Sequence, residues 1–220
     1  MLRVALQARF GDDAPTHPGV RFRLADGREL AYHDVRRFGC LQRYTGEARS
    51  YATLGQFGGK NPGSQPIKFV LGLTARTGAV FGDPGAFFGF QQFALGGVQF
   101  GEQLRGYEEF SIIPNRGYVG GDGNAGIESF GNAFFATSAE LGVRFNQQIY
   151  LHSFFDAGNV WDRAREFDPT RLYRGVGVGA SLVTPLGPLG LDLGYGLDRR
   201  DAFGRRDGKW QVHFKLGQFF

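Results

Sequence analysis

The segment PIKFVLGLTARTGAVFG, residues 66–82, alternates apolar and polar side chains along nearly its whole length. One face carries Ile67, Phe69, Leu71, Leu73, Ala75, Ala79 and Phe81, and the other carries Lys68, Gly72, Thr74 and Arg76. A period of two residues predicts a β-strand. Strands of soluble domains usually run about 5–6 residues, whereas a tilted membrane-spanning strand needs about 9–11. The length of this segment therefore favours a transmembrane β-barrel.

The same alternation recurs on both sides of this segment. Together with it, the predicted strands are 42–55, 66–82, 133–145, 147–160, 172–184, 189–198 and 210–220, seven in all. Glycine fills every second position in parts of 172–184 and 189–198, which indicates that another backbone approaches that face closely. Two architectures remain open: a membrane barrel with the apolar face outward, and a soluble lipocalin-like barrel with the apolar face inward.

Composition supports an all-β, antiparallel protein. The 220 residues include 36 Gly, 23 Phe and 8 Tyr, with few helix-forming runs, and the net charge of +4 decides little about partners. The only cysteine, Cys40, excludes an internal disulfide and a cysteine-based zinc site. Asp122-Gly123-Asn124 offers too few acidic ligands for a calcium loop. The sequence thus predicts neither a metal nor a cofactor.

The segment FALGGVQFGEQLRGYEEF, residues 93–110, interrupts the strands. It is glycine-rich, and its apolar spacing fits neither a strand nor a helix. Leu104-Arg105-Gly106-Tyr107 places a fixed cation beside a residue that tolerates positive φ. A long loop with this aromatic content is expected to pack against other residues, so we predict that it folds back inside the wall of strands.

Residues 1–40 have a different texture, richer in arginine and poorer in glycine. Segments 20–24 and 28–34 predict a two-stranded hairpin, which ends in Val35-Arg36-Arg37-Phe38-Gly39. Two arginines and a phenylalanine at a strand end form either a solvated corner or a DNA contact, with guanidiniums on phosphates and the ring wedged into the base stack.

The stretch LADGRELAYHDVRRFG resembles the end of the N-terminal β-sandwich of formamidopyrimidine-DNA glycosylases. The resemblance implies that Arg36 and Phe38 would insert into DNA and that Arg37 would lie near the phosphates. That family's catalytic N-terminal proline is replaced by Met1-Leu2-Arg3. No glycosylase activity and no nucleic-acid partner are therefore expected, and we interpret residues 1–40 as a hairpin fragment of such a domain, joined near Cys40 to residues 41–220.

Four segments of the remaining chain resemble the C-terminal barrel of BamA-type outer-membrane assembly proteins, the bacterial surface antigen family. They are FALGG…LRGY (93–107), GNAFFATSAELGVRF (131–145), FFDAGNVW (154–161) and TPLGPLGLDLGYGLD (184–198), and the chain ends in phenylalanine. The resemblance implies that loop 93–110 enters the barrel lumen. There Arg105, Gly106 and Tyr107 would meet the inner wall near Asp156 and Gly158. It also implies that the end of the chain is a barrel-recognition signal, or simply part of an aromatic girdle; its residues are Phe214, Gly217 and Phe220.

The Arg105–Asp156 pairing also has a physical rationale. Asp156 falls on the polar face of its predicted strand with Tyr150 and His152, and a buried carboxylate needs a partner. The alternative is that each charge is solvated separately in a water-filled lumen.

By this resemblance we expect a non-enzymatic outer-membrane protein that helps to insert or translocate other proteins. Its implied partners are outer-membrane lipid, client outer-membrane proteins and assembly lipoproteins. Seven strands are fewer than half of the family's barrel, so we expect a truncated or chimeric chain whose open sheet edges self-associate. No signal peptide follows Met1, so export of this chain by itself is not expected. The alternatives are a catalytically dead nucleic-acid-binding fragment and a soluble all-β binding protein.

Overall fold

The structure is a computed structural model. It describes residues 4–7, 20–24, 29–38, 41–59, 65–82, 91–119, 129–146, 148–185, 187–200, 203 and 205–216. Before residue 42 only the backbone is described.

Most of the described residues form β-strands. The strands are β1 (Val4–Gln7), β2 (Val20–Leu24), β3 (Glu29–Phe38), β4 (Leu41–Phe57), β5 (Ile67–Phe81), β6 (Ile112–Ile113), β7 (Gly117–Tyr118), β8 (Ala133–Arg144), β9 (Ile149–Trp161), β10 (Tyr173–Thr184), β11 (Gly187–Gly196) and β12 (Trp210–Leu216). Ten of them make one antiparallel sheet in the order β1-β2-β3-β4-β5-β8-β9-β10-β11-β12, and β6 and β7 form a separate small hairpin. A single 3₁₀ turn lies at Ala164–Glu166.

The predicted all-β antiparallel fold is confirmed. Each of the seven predicted strands corresponds to one observed strand, β4, β5 and β8 to β12, and these pair in chain order. The hairpin β6–β7 was not predicted, because two-residue strands leave no periodic pattern. The hairpin predicted within residues 20–34 is present as β2 and β3.

The sheet continues from the N-terminal hairpin into the barrel strands. Strand β3 pairs with β4 in a register that runs from Glu29↔Arg49 to Phe38↔Leu41. The domain junction near Cys40 stays a prediction, and Cys40 itself lies outside the described residues.

The two faces of the sheet differ in chemistry. Large apolar side chains are exposed on the outer face of β8 to β12, including Leu141, Leu151, Phe155, Val178, Leu191, Val212 and Phe214. The opposite, inner face carries buried polar side chains, among them Glu140, His152, Asp156, Asp192 and Lys215. This orientation is that of a barrel facing lipid, and it is the reverse of the lipocalin-like alternative. In the part of the chain that the structure describes, no helix is long and apolar enough to cross a membrane.

The apolar core lies between the inner face and the loop that follows β5. Its buried members are Val80, Phe93, Leu95, Leu104, Tyr107, Ile112, Phe134, Ala136 and Val160. The rings of Phe93 and Phe134 lie 4.5 Å apart between centroids. A Cβ atom at Gly78 would sit 2.5 Å from the Phe93 ring, so glycine at this strand position makes room for the loop.

Candidate functional site

Loop 93–110 holds itself in shape by backbone contacts. Isolated bridges join Leu95 to Glu102 and Gly97 to Leu104. The carboxylate of Glu109 accepts hydrogen bonds from the backbone nitrogens of Val98 (2.6 Å) and Gln99 (2.9 Å). Such a nest of N–H groups around a carboxylate fixes an otherwise irregular chain. The loop is thus an ordered element that presents Leu104–Tyr107 to the inner face.

At the tip of the loop, Arg105 is completely buried and binds Asp156 of β9. Its Nε donates to Asp156 Oδ2 and its Nη2 to Oδ1, both at 2.7 Å. The backbone nitrogen of Arg105 also donates to Oδ2 at 3.2 Å. Ser138 of β8 accepts from Nη2 at 2.8 Å and donates to Asp156 Oδ1 at 2.6 Å. Two parallel N–H···O bonds of this kind define both the position and the plane of the guanidinium.

Two further carboxylates meet the same guanidinium. Nη1 of Arg105 lies 2.6 Å from Glu140 Oε1 on β8 and 3.2 Å from Asp192 Oδ2 on β11. Lys215 of β12 balances part of this negative charge, with Nζ 2.8 Å from Asp192 Oδ2. The guanidinium carbon lies 3.6 Å from the centroid of the Phe154 ring, a cation–π contact. The Arg105 side chain therefore contacts three strands directly, β8, β9 and β11. It is linked to a fourth, β12, through the Asp192–Lys215 pair.

The residue after Arg105 brings the loop backbone onto the sheet. Gly106 has φ = 89°, a conformation that L side chains rarely adopt. Its nitrogen donates to Nε2 of His213 at 2.9 Å, which places the imidazole proton of His213 on Nδ1. A Cβ atom at Gly175 would overlap the Arg105 carbonyl, and one at Gly194 would lie 2.6 Å from the Gly106 nitrogen. Glycines in the wall thus allow backbone-to-backbone contact.

Tyr107 anchors the other side of the tip. Its hydroxyl donates to the Arg174 carbonyl at 2.9 Å and accepts from the Asp198 nitrogen at 3.2 Å. Its ring makes edge contacts with Tyr118 and Tyr173. Burial raises the pKa of Tyr107 well above its ordinary value, so the hydroxyl stays protonated and remains a donor.

A second ionic contact fixes the segment just beyond the tip. Arg199, which follows β11 and is 1% exposed, donates from Nη2 to Glu108 Oε1 at 2.6 Å. Gln211 of β12 donates to the same oxygen at 2.8 Å, and the Tyr118 hydroxyl donates to Glu108 Oε2 at 2.9 Å. The loop is therefore fastened to the wall at three charged positions, Arg105, Glu108 and Glu102, the last through Arg76 of β5 at 3.1 Å.

Comparison with known proteins gives the family and the fold of the chain. Residues 39–220 match the Omp85 superfamily domain. The chain belongs to the Omp85 superfamily. Its structure is similar to that of BamA from Haemophilus ducreyi lacking POTRA domains 1–3, with a TM-score of 0.55 and 15% sequence identity over 96% of this chain. At that identity the similarity shows the fold, and the chain spans 40% of that BamA chain. No curated protein sequence matches the chain.

The Omp85 match confirms the BamA-type resemblance drawn from residues 41–220. Membership in the superfamily indicates an outer-membrane protein, and the fold is similar to that of BamA. The match leaves out residues 1–38, so the glycosylase resemblance of the N-terminal hairpin stays a prediction.

The sequence singled out several candidate site residues, and the structure brings some of them together. Arg105, Gly106, Tyr107 and Asp156 meet as described. Gly158 is buried in the wall, where the atoms nearest to a Cβ on it belong to Phe135 and Ala136 of β8 rather than to the loop.

The remaining predicted residues lie elsewhere. Phe214 is on the outer face of β12, 50% exposed, and its carbonyl accepts a hydrogen bond from the Gln99 side chain. Gly217, Phe220 and the 122–124 loop lie outside the described residues, as do the side chains of Arg36, Arg37 and Phe38.

Sequence reasoning missed most partners of Arg105 in this Omp85 chain. Glu140, Asp192 and Lys215 all fall on the polar face of their strands, which the alternating pattern did indicate. The pattern could not show that one loop cation reaches three strands, because that depends on where the loop tip lies along each of them. The pairing of Glu108 with Arg199 left no periodic trace, since both residues lie in connections. Among the described residues, no group of three or more His, Cys, Asp or Glu side chains is placed to hold a metal ion.

Proposed function

We propose that this protein inserts or translocates other outer-membrane proteins and that loop 93–110 braces its barrel wall from the inside. The buried contact of Arg105 with Asp156, Glu140 and Asp192 is the observation that carries this proposal. The proposal assigns no catalytic residue, since the work required is the pairing and release of strands.

The contacts of the loop hold the strands of the wall in place even where the pairing of one strand at the edge is broken. Client strands join a barrel by adding to an exposed strand edge, where main-chain groups supply the affinity. A wall whose edge opens must keep its remaining strands in register. Arg105 connects β8, β9 and β11 through its own bonds, and β12 through the Asp192–Lys215 pair. Opening at an edge then leaves the rest of the wall intact.

The proposed partners follow from this arrangement. The exposed apolar side chains of the outer face contact outer-membrane lipid. Client outer-membrane proteins pair at the edge beyond β12, the last strand in the described sheet order, and a second copy of the chain could pair there in the same way. Assembly lipoproteins, implied by the family, would bind outside the lumen.

Reconstitution tests the proposal. The full chain is folded into liposomes, and an unfolded client barrel is added. Insertion is measured as the protease-protected, heat-modifiable fraction of the client. We expect the unsubstituted chain to raise the insertion rate above that of empty liposomes. Arg105→Ala should reduce the rate, whereas Arg49→Ala should leave it nearly unchanged, because Arg49 pairs with Glu47 on its own strand and is 41% exposed.

Rates are compared per folded chain, so a loss of folding is not mistaken for a loss of activity. A rate equal to that of empty liposomes for the folded, unsubstituted chain would contradict the proposed activity. Equal rates per folded chain for Arg105→Ala and the unsubstituted chain would contradict the role of the brace alone.

A further inference from the structure

A basic cavity of about 970 Å³ lies at one end of the sheet, away from the Arg105 cluster. Four arginines, Arg116, Arg171, Arg174 and Arg200, line it together with one acidic residue, Asp198. We propose that this cavity binds the phosphorylated headgroup of a membrane lipid, with the lipid's acyl chain lying on the outer face of β9 and β10. The site is independent of the proposed insertion activity and requires only that the chain sit in a membrane.

The topology places the cavity at the end of the sheet with the long connections. In an antiparallel sheet, alternate connections lie at opposite ends. The connections 82–132, 162–172 and 197–209 are therefore at one end, and the short ones after β8 and β10 are at the other. Residues within 113–118, 169–174 and 198–200 line the cavity together with Thr137 of β8 and residues within 155–161 of β9, so the long connections close it over the end of the strands.

Charge makes an anion the fitting ligand. Guanidiniums bind phosphate oxygens through paired N–H donors. Arg174 is held in place by Asp198, which accepts from its Nε at 2.9 Å and from Nη2 at 2.7 Å. A guanidinium has five N–H donors, so this pair fixes its plane without using all of them. The Arg171 side chain is 83% exposed and pairs with Asp168 only through Nε, at 3.3 Å, so its other N–H donors are available to a ligand. Its carbonyl accepts from Asn159 Nδ2 at 2.7 Å, which ties the connection to β9.

The apolar part of the cavity continues onto the lipid-facing surface. The register pairs Arg174 with Ala157 and Val176 with Phe155, so all four side chains point to the outer face. Phe155 is 42% exposed there and lines the cavity. A ligand that touches both the arginines and Phe155 needs an anionic head and an apolar tail.

Neighbouring aromatic residues indicate the level in a bilayer at which the cavity arginines lie. Val176 pairs with Tyr195, and Tyr195 pairs with Trp210, whose ring lies 5.3 Å away. Tyr and Trp at this position on a barrel mark the membrane–water interface. Arg174 is two residues nearer the connections, roughly 7 Å along the strand. That is the level of lipid phosphates, and it favours a lipid over a free anion or an acidic protein segment.

Tryptophan fluorescence can test the site directly. The chain has two tryptophans, and one of them, Trp161, lines the cavity. In the full chain carrying Trp210→Phe, Trp161 is the remaining tryptophan, so the fluorescence signal comes from the cavity alone. In detergent micelles this variant is titrated with phosphatidic acid or with phosphatidylcholine, whose phosphate charge is balanced by choline. Each lipid carries a nitroxide at the top of its acyl chain, next to the headgroup, and a nitroxide quenches a nearby indole without direct contact.

We expect phosphatidic acid to quench Trp161 at a mole fraction roughly fivefold or more below that of phosphatidylcholine, the scale of one surface arginine acting on an anionic lipid. Adding Arg116→Gln, Arg171→Gln and Arg200→Gln should abolish the preference. The control Arg163→Gln, Arg165→Gln and Arg205→Gln removes the same charge from exposed residues outside the cavity lining and should retain it. Arg171→Gln alone should weaken the preference, so the test stands if the triple variant fails to fold.

In the lipid titrations, three outcomes would overturn the proposal: equal quenching by the two lipids, an unchanged preference in folded Arg116/Arg171/Arg200 variants, and an equal loss of preference in the control. Inorganic phosphate is added in a parallel titration. A preference that survives an equal concentration of phosphate supports a lipid ligand, whereas displacement by phosphate assigns the cavity to a free anion and overturns the lipid assignment.

Discussion

The backbone of Gly106, at the tip of the inserted loop, lies directly on the backbone of Gly194 in β11. A Cβ atom on Gly194 would come within 2.6 Å of the Gly106 nitrogen, closer than real Cβ contacts allow. The loop and the wall therefore approach each other as two backbones, with no side chain between them.

Gly194→Ala should detach the loop tip. Overpacking a close contact typically costs about 1–3 kcal/mol, so we expect a drop of that size in the free energy of unfolding, measured by urea titration in detergent. Limited proteolysis should show faster cleavage within residues 93–110. Gly190→Ala is the matched control on the same strand and face, because the atom nearest to its new Cβ is Lys215 Cβ at 3.4 Å. Equal behaviour of the two variants would contradict the close approach.

Arg105→Lys should fail to replace arginine. A lysine keeps the charge but cannot donate to both oxygens of Asp156, and it loses the planar contact with Phe154. Removal of one partner of a buried ion pair costs about 3–5 kcal/mol, so Arg105→Ala should lose that much and Arg105→Lys somewhat less. Urea unfolding monitored by tryptophan fluorescence measures both.

The Arg105–Asp156 coupling itself is measured by a double-mutant cycle with Asp156→Asn. Charge reversal at both positions should rescue the fold only in part, because Glu140 and Asp192 would then face an aspartate at position 105. Additive effects of Arg105→Ala and Asp156→Asn would argue against a direct interaction.

Glu108→Gln should weaken the second attachment of the loop. Glu108 is 26% exposed, while its partner Arg199 is 1% exposed and would lose the shorter of its two charged contacts, keeping only Asp207 at 3.7 Å. We expect a loss of about 1–3 kcal/mol in the free energy of unfolding. Glu47→Gln is the matched control, since Glu47 is also 26% exposed but its partner Arg49 is 41% exposed. If Glu47→Gln lowered the free energy of unfolding as much as Glu108→Gln does, the burial of Arg199 would contribute nothing to the strength of its ion pair.

The Arg174–Asp198 pair should make the free energy of unfolding depend on pH in the acid range. Hydrogen bonds from Arg174 hold the pKa of Asp198 below its ordinary value. A carboxyl whose pKa is depressed by folding adds stability above its unfolded pKa of about 3.9, and that stability is lost as the pH falls through the folded pKa. The pair is partly exposed, so its contribution is at most about 1 kcal/mol.

The measurement for this pair compares the unsubstituted chain with Asp198→Asn from pH 6 to pH 2. The difference between their free energies of unfolding should be present at pH 6 and vanish at the acid end, because other carboxyls titrate equally in both chains. A constant difference across this range would exclude the pair as its source.

The alternating sequence by itself determined the strands and their two faces. In β5 and in β8 to β12, side chains two residues apart share a face, so the pattern shows which positions meet lipid and which meet the interior. Strand length then favoured a membrane barrel. Local sequence also marked Arg105 and Gly106 as unusual, since a fixed charge beside a glycine stands out within an apolar loop.

Only the tertiary structure decided what the loop touches. Asp156 was expected from the sequence, but the further partners Glu140 and Asp192 come from two other strands, and Glu108 contacts Arg199 across 91 residues of chain. The register of each strand and the path of the loop set these contacts together, and neither leaves a periodic trace in the sequence. Three of the four cavity arginines likewise come from separate connections, which only the antiparallel order of the sheet brings to one end.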